Sequence, residues 1–357
     1  MPKIRILVVD DSVVIRRLVG EVLNADPAIE VVGTAANGKI ALAKLPQVNP
    51  DLVILDIEMP EMDGLTALRE IRKLYPRLPV IMFSALTERG AVATLDALAL
   101  GATDYFTKPT TTGGLDASLQ VIRDELIPAI KALCGQVYNR VGTAATITVA
   151  RSPQPRSTTT NPVEVVAIGT STGGPNALAE VFAGLPANFS VPIVLVQHMP
   201  PMFTRLLAER LTAQSRVKVE EGRSGGVLRP GHVWIAPGDY HMIVVRNAGQ
   251  VRILIHQDPP ENSCRPAVDV LFRSIAQTFG PNALAVILTG MGQDGFRGCE
   301  AIREAGGQIL AQDEATSVVW GMPGFVARAG LADRILPLAM IAPEVVRRVQ
   351  IGRGESS

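Results

Sequence analysis

The chain has 357 residues, and its 34 basic side chains are balanced by 34 acidic ones. This length exceeds what one hydrophobic core usually serves, so two domains are expected. Because the net charge is zero, the chain has no overall electrostatic field that would attract nucleic acid or anionic lipid. Three widely spaced cysteines argue against a disulfide framework and a zinc site. The chain begins without signal-peptide features, and no apolar stretch reaches the roughly 18 residues that span a bilayer. We therefore expect a soluble, cytoplasmic protein that neither inserts into membranes nor binds nucleic acid.

The first domain is predicted from short apolar runs that alternate with segments of helical length. This alternation is typical of a parallel, doubly wound α/β sheet with helices on both faces. The predicted strands are residues 4–9, 30–35, 52–55, 80–83 and 104–107.

Three carboxylates follow strands of this predicted sheet: Asp10 and Asp11 follow the first strand, and Asp56 follows the third. The carboxyl ends of parallel strands share one edge, so these like charges crowd together and favour a hard cation such as Mg²⁺. Ser84 and Lys108 follow the fourth and fifth strands and are suited to hold the oxygens of a phosphoryl group on Asp56. One such aspartate is often only a cap or turn residue, but five matching positions favour a site.

A polar, proline-containing stretch at residues 151–162 predicts a linker, whose left edge we place at 126. A second α/β domain then runs from residue 163 to 350, again with alternating apolar runs and helical segments. Within it, two strand-like runs flank Asn247-Ala248-Gly249, which predicts a β-hairpin beside the parallel sheet. The predicted parallel strands are residues 163–168, 191–196, 232–236, 285–288 and 308–311.

The turn Gly169-Thr170-Ser171-Thr172-Gly173-Gly174 closes the first apolar run of the second domain. A strand that ends at glycine and turns into a helix exposes the turn side chain at the carboxyl edge of a parallel sheet, where α/β folds place their sites. The amide groups that follow face the same space and can stabilise an oxyanion. Ser171 is therefore the candidate nucleophile.

A serine nucleophile needs a base, and the base needs a group that orients it. His198 ends the strand after Ser171, and Asp294 lies in another glycine-rich turn after a strand, so both are expected at the same sheet edge. An isolated aspartate there would more often be a helix cap. The backbone amides of Thr172 and Met291 are the candidate oxyanion donors.

Two other interpretations of the Ser171 turn fit the sequence less well. In an α/β-hydrolase the triad follows the order serine, acid, histidine, whereas here the order is Ser171, His198, Asp294. In a dinucleotide-binding loop a glycine would stand at position 171, and an acidic residue would end the next strand, where Gln197 and His198 stand instead.

The first domain resembles a flavodoxin-like, (βα)5 response-regulator receiver. The resemblance implies that Asp56 is phosphorylated by a histidine kinase, that Ser84 and Tyr105 relay the event, and that Lys108 contacts the phosphate. It further implies that Mg²⁺ is held by Asp10, Asp11, Asp56 and the Glu58 carbonyl group. The motifs that carry it are Val8-Val9-Asp10-Asp11-Ser12, Leu55-Asp56-Ile57-Glu58-Met59-Pro60-Glu61-Met62-Asp63-Gly64, Ser84-Ala85 and Tyr105-Phe106-Thr107-Lys108-Pro109.

The whole chain resembles a chemotaxis-type protein-glutamate methylesterase, the CheB family. The resemblance implies a receiver at 1–125, a linker at 126–162 and a methylesterase domain at 163–350. It implies hydrolysis of glutamate methyl esters on methyl-accepting chemoreceptors, with glutamine deamidation, by a triad of Ser171, His198 and Asp294 that needs no cofactor. The motifs are Ile168-Gly169-Thr170-Ser171-Thr172-Gly173-Gly174, Val196-Gln197-His198-Met199-Pro200, Leu288-Thr289-Gly290-Met291-Gly292-Gln293-Asp294-Gly295 and Gly321-Met322-Pro323.

Regulation is expected from this architecture, because an unphosphorylated receiver can cover the Ser171 edge and exclude a receptor helix. Two alternative hypotheses belong to other classes of function. A receiver-controlled transcription factor should carry a compact basic helix-turn-helix, whereas the second half is a larger α/β unit near neutrality. A catalytically silent scaffold is the third hypothesis, which labelling of Ser171 by a serine-reactive phosphonate would contradict.

Overall fold

The computed structural model describes residues 2–85, 87–108, 119–120, 122–142 and 161–351. The chain divides into two compact units, Met1–Thr146 and Ile147–Ser357.

The predicted domain limits of 1–125, 126–162 and 163–350 stay a prediction. Within the predicted linker, the described residues 127–142 form a helix. Residues 143–160 and Pro109 lie outside the described residues.

The first unit contains a five-stranded parallel sheet, which confirms the predicted receiver-like fold. Its strands are β1 (Ile4–Val9), β2 (Ile29–Ala35), β3 (Leu52–Asp56), β4 (Val80–Ser84) and β5 (Asp104–Thr107). Their order in the sheet is β2-β1-β3-β4-β5. The helices are α1 (Val13–Asn24), α2 (Gly38–Val48), α3 (Gly64–Leu74), α4 (Glu88–Ala99) and α5 (Ile127–Gly142), which follows a π-helical turn at Ile122–Leu126.

Local sequence explains where these helices begin. The side chains of Ser12, Asn37, Asp63 and Thr87 each accept a hydrogen bond from an amide in the first turn of the helix that follows. Gly64 has a second role, since a Cβ there would overlap the Asp56 carbonyl oxygen. This glycine lets α3 begin directly against the end of β3, where the candidate phosphorylation site lies.

The second unit is a seven-stranded parallel sheet with a separate antiparallel hairpin, as predicted. The strands are β6 (Val165–Thr170), β7 (Ile193–Gln197), β8 (Lys218–Glu221), β9 (His232–Ile235), β10 (His241–Asn247), β11 (Gln250–His256), β12 (Ala283–Ile287), β13 (Gln308–Gln312) and β14 (Arg334–Leu336). The helices are α6 (Gly174–Ala183), α7 (Phe203–Gln214), α8 (Val268–Phe279), α9 (Phe296–Glu304), α10 (Met322–Arg328) and α11 (Leu338–Ile351).

Two strands of this sheet were not predicted. They are the edge strands β8 and β14, which are short and contain charged residues. Edge strands of this kind lack a strong apolar pattern because one side meets solvent, and charge there discourages further strand pairing. The hairpin turn is also shorter than predicted, since only Ala248 and Gly249 lie between β10 and β11, both with positive φ.

The strand order places a topological switch point at the middle of the second sheet. The order is β14-β13-β12-β6-β7-β9-β8, so the chain leaves β6 toward β7 and later returns on its other side as β12. Adjacent strands whose connections run in opposite directions leave a crevice at their carboxyl ends, where α/β proteins bind ligands. Ser171 follows β6 at this crevice. Within the described residues, no helix has the length and apolar character required to cross a bilayer.

Candidate active site

Ser171 lies immediately after β6, one residue before the tight part of the turn. Its amide donates to the Thr289 carbonyl oxygen at 3.0 Å, and the Thr170 hydroxyl donates to the same oxygen at 2.9 Å. Gly173 then adopts a φ of +77°, a backbone conformation that residues other than glycine rarely adopt, and α6 begins at Gly174. The half-buried Ser171 side chain is thereby held at the crevice.

Gln197 joins the serine turn to the histidine turn, a role the sequence did not reveal. Its buried side chain donates through Nε2 to the carbonyl oxygens of Ser171 at 3.0 Å and of His198 at 3.1 Å. A Cβ at Gly174 would overlap Gln197 Oε1, so the glycine makes room for this amide. The identity of Gln197, at the end of a buried apolar strand, was the available signal, because a buried polar side chain normally has a bonding role.

His198 and Asp294 form the central contact of the site. Nε2 of His198 lies 2.8 Å from Oδ2 of Asp294, and the His198 amide donates to the Thr170 carbonyl oxygen at 3.2 Å. The Asp294 carboxylate also accepts hydrogen bonds from the backbone amides of Val268, Asp269 and Gly295. Burial alone would raise the pKa of Asp294, but the hydrogen bond and charge of His198 and these amides lower it. Asp294 is therefore a carboxylate that fixes the imidazole.

The other imidazole nitrogen faces a cysteine. Nδ1 of His198 lies 3.6 Å from Sγ of Cys264, a residue that the sequence did not single out as part of the site. Burial acts to lower the pKa of His198, but hydrogen bonds and charge from Asp294 and Cys264 outweigh it and raise this pKa above its ordinary value. Among the hydrogen bonds of the described residues, none joins the Ser171 hydroxyl to His198, and such contacts often tighten only when substrate binds.

Asn262 and Asp269 form a second layer behind Asp294. The Asn262 amide nitrogen donates to Asp269 Oδ2 at 2.8 Å and to Asp294 Oδ1 at 2.9 Å, and thus separates two buried carboxylates. Burial, together with the charge of Asp294, raises the pKa of Asp269. Asn262 adopts a φ of +53°, an uncommon conformation that asparagine tolerates better than most residues. Sequence alone gave no signal for this contact, which joins distant segments.

Of the two predicted oxyanion donors, Thr172 follows Ser171 in the chain and Met291 follows Gly290. Within the described part of the chain, the amide groups of Thr172 and Met291 donate no hydrogen bond to other protein atoms. Gly290 packs against the serine so closely that a Cβ there would lie 2.9 Å from Ser171 Cβ. The Thr289 hydroxyl donates to the Thr172 carbonyl oxygen at 3.0 Å and so ties the two turns together. Their role as oxyanion donors stays a prediction.

A separate acidic cluster occupies the first unit, at the carboxyl ends of β1 and β3. Asp10 and Asp56 are buried, and Lys108 Nζ lies 2.8 Å from a carboxylate oxygen of each. Asp11 is exposed, and oxygens of the three aspartates lie within 4.8 Å of one another. Burial, reinforced by the charge of Asp10 and opposed by Lys108, raises the pKa of Asp56 to about 6. Three hard oxygen donors with excess negative charge fit Mg²⁺.

The remaining residues predicted for this cluster surround it. The Glu58 amide lies 3.4 Å from Asp56 Oδ1, which places the Glu58 backbone next to this carboxylate. The buried Ser84 hydroxyl, at the end of β4, donates to the Gly90 carbonyl oxygen at 3.2 Å. Tyr105 lies in β5 beside β4, and burial raises the pKa of its phenol. Their roles in phosphorylation stay predictions.

The other three histidines have hydrogen-bond or ion-pair partners other than Asp294. His232 Nε2 lies 2.7 Å from Glu220, and His256 pairs with Asp258 at 3.2 Å. Nδ1 of His241 accepts a hydrogen bond from the Ala267 amide. Among the described residues, His198 is thus the histidine that contacts Asp294; its role as the base stays a prediction.

Family models match both halves of the chain. Residues 6–120 match a response regulator receiver domain, and residues 166–345 match the CheB methylesterase family. A protein of Trichodesmium erythraeum, named protein-glutamate methylesterase/protein-glutamine glutaminase, is 56% identical over 98% of this chain and 100% of its own length. A protein of the same name from Nocardioides is 54% identical over 98% of this chain and 96% of its own length.

Among solved structures, this chain is similar to the CheB methylesterase catalytic domain of Thermotoga maritima. The identity is 42% and the TM-score 0.51, over 52% of this chain and 98% of the other. The coverage corresponds to one of the two units. Together, the two matched domains and the full-length relatives show that the chain belongs to the CheB methylesterase family, with an N-terminal response-regulator receiver domain.

Proposed function

We propose that this protein hydrolyses glutamate methyl esters on methyl-accepting chemoreceptors, and deamidates receptor glutamines, when its receiver is phosphorylated. The names of its relatives give the two activities. The observation that carries the proposal is the 2.8 Å contact between His198 and Asp294 beside the turn that bears Ser171. The geometry supports acyl transfer because it supplies a hydroxyl, an imidazole and an orienting carboxylate at one crevice.

The chemistry uses this chain's own groups. Because Asp294 holds Nε2 of His198, Nδ1 is the nitrogen that accepts the Ser171 proton. Ser171 Oγ attacks the γ-carbonyl carbon, and the amides of Thr172 and Met291 hold the oxyanion. His198 returns the proton to the leaving group, which is methanol from an ester or ammonia from glutamine. Water then attacks the acyl-enzyme by the same route in reverse, without a cofactor.

The receiver supplies the switch in this proposal. Asp56 accepts a phosphoryl group from a histidine kinase, and Asp10, Asp11, Asp56 and the Glu58 carbonyl group would hold Mg²⁺, which offsets charge during the transfer. Lys108 contacts the phosphate, and the Ser84 hydroxyl turns toward it from Gly90, which opens space for Tyr105 to move.

The receptor's cytoplasmic helices are the proposed substrate, which places this protein's action in the cytoplasm. Partner recognition needs neither nucleic acid nor membrane insertion. Before phosphorylation the receiver is proposed to exclude these helices from Ser171. Removal of residues 1–140 should then raise basal hydrolysis, and an unchanged or lower rate would contradict this blocking role.

The decisive experiment measures methanol release from methylated receptor, with and without a small phosphodonor and Mg²⁺. We expect release by the wild-type protein, stimulation by the phosphodonor, and loss of stimulation in Asp56→Asn. Ser171→Ala should abolish release while Asp56 phosphorylation persists. Retained release in Ser171→Ala would refute the nucleophile, and the exposed Ser224→Ala serves as a serine control.

A further inference from the structure

A thiol completes a second three-group arrangement at the active site. Sγ of Cys264 lies 3.6 Å from Nδ1 of His198, and Asp294 holds the opposite nitrogen of the same ring. A cysteine nucleophile is activated by an imidazole that accepts the thiol proton and by a carboxylate that orients the imidazole. Cys264, His198 and Asp294 supply these three groups in that order. The thiol therefore shares a base with Ser171.

The loop that carries Cys264 is fixed at both ends and at its centre. Glu261 and Cys264 exchange two backbone hydrogen bonds, of 3.1 and 2.9 Å. Between them, Asn262 is anchored by its amide to Asp269 and Asp294. The carboxylate that orients the imidazole is thus tied to the loop that positions the thiol, so the contact is built into the site.

The other cysteines provide an internal comparison. Cys134 and Cys299 are 1% and 0% exposed, whereas Cys264 is partly exposed. Burial raises the pKa of Cys134 to about 12 and that of Cys299 well above its ordinary value. Thiols that are buried and protonated are inert, whereas an accessible thiol beside an imidazole is reactive.

We propose that Cys264 is a modification site for peroxides and alkylating electrophiles, and that a group attached to its sulfur stops ester hydrolysis. The second part rests on the proposed function, because it assumes that Nδ1 of His198 receives the Ser171 proton. An adduct on Sγ lies against that nitrogen and obstructs the transfer.

In the reaction with peroxide, His198 accepts the thiol proton and later returns it to the leaving oxygen. The thiol proton passes to Nδ1 of His198, the thiolate attacks one peroxide oxygen, and the O–O bond breaks as the S–O bond forms. The departing hydroxide takes the imidazolium proton to give water. Sulfur is oxidised to sulfenic acid, peroxide is reduced, and an added thiol reverses the change. With iodoacetamide an S–C bond forms and iodide leaves.

The test treats the full-length protein with iodoacetamide or hydrogen peroxide and follows two quantities. Peptide mass mapping gives the occupancy of each cysteine with time, and methanol release gives the activity. We expect Cys264 to be alkylated at least about tenfold faster than Cys134 and Cys299, with activity lost at the same rate. Dithiothreitol should restore activity after peroxide. Equal reactivity of the three thiols, or full activity with Cys264 modified, would overturn the proposal.

Variants test whether modification of Cys264 causes the loss of activity and whether His198 makes this thiol reactive. Cys264→Ser and Cys264→Ala should keep their own starting activity after treatment, whereas Cys299→Ala should be inactivated like the wild type. His198→Gln should slow alkylation of Cys264 by about tenfold, since it removes the base. Inactivation of Cys264→Ser at the wild-type rate would also contradict the proposal. If untreated protein released no methanol, the proposed function would fail, while mass mapping would still decide whether Cys264 is the reactive thiol.

Discussion

Nε2 of His198 lies 2.8 Å from Oδ2 of Asp294, although 96 positions separate the two residues in the chain. The contact is possible because β6 stands between β7 and β12, so the turns after these strands converge on one crevice. It fixes the tautomer, because a carboxylate at Nε2 keeps the proton there and leaves Nδ1 as the basic nitrogen.

Asp294→Asn should lower kcat for methyl-ester hydrolysis by about 10⁴-fold, because an amide can stabilise the wrong tautomer and cannot stabilise the imidazolium. Steady-state methanol release checks this. Asp258→Asn is the control, since the Asp258 side chain is 77% exposed. A loss below tenfold in Asp294→Asn would show that this carboxylate does not orient the base.

Asn262→Gly should lower kcat/KM by about tenfold, the effect of losing a hydrogen bond to a charged group. Glycine accepts the φ of +53°, so the change removes the amide without straining the backbone. Without this donor, Asp294 attracts the imidazolium proton more strongly, and the rising limb of the pH–rate profile should move to higher pH.

The matched control for Asn262→Gly is Ala248→Gly, another residue with positive φ, in the β10–β11 turn. Its kinetics should equal those of the wild type. An unshifted pH limb in Asn262→Gly would mean that the amide serves loop structure alone.

Lys108→Met should destabilise the first unit by up to about 3 kcal/mol without Mg²⁺, because it leaves Asp10 and Asp56 without their shared cation. Mg²⁺ should raise the unfolding temperature of this variant more than that of the wild type, since the ion no longer competes with Lys108. Thermal unfolding of both proteins with EDTA and with Mg²⁺ checks this. Lys73→Met is the control, because its side chain is 68% exposed. Equal Mg²⁺ responses in the variant and the wild type would refute the competition.

Glu344→Gln should remove an acid-dependent part of the stability of the second unit. Burial acts to raise the pKa of Glu344, but Arg347 and Arg348 outweigh it and lower this pKa from 4.5 to about 2. The carboxylate therefore stabilises the fold fully above about pH 4.5, and its contribution is lost as the pH falls toward 2. Urea unfolding midpoints should differ most between variant and wild type at neutral pH and converge in acid.

Glu209→Gln is the control for this pH series, because Glu209 pairs with Arg205 on a helix surface and is 59% exposed. Exposed pairs of this kind contribute little. A constant difference between Glu344→Gln and wild type down to pH 2.5 would exclude this carboxylate as the titrating group.

The sequence by itself determined the α/β fold class, the strands with a strong apolar pattern, and the positions of Ser171, His198 and Asp294 in segments that follow strands. These follow from local patterns: apolar runs, glycine turns and polar residues that interrupt them. The weakly patterned edge strands β8 and β14 were missed for the same reason.

Only the tertiary structure decided which imidazole nitrogen meets Asp294, that Cys264 faces the other one, and that Gln197 and Asn262 brace the site. Each of these contacts joins side chains from segments whose order in the sheet cannot be read from local periodicity. A strand pattern gives the direction and the end of a strand, whereas the pairing of side chains at that end depends on how neighbouring loops pack across it.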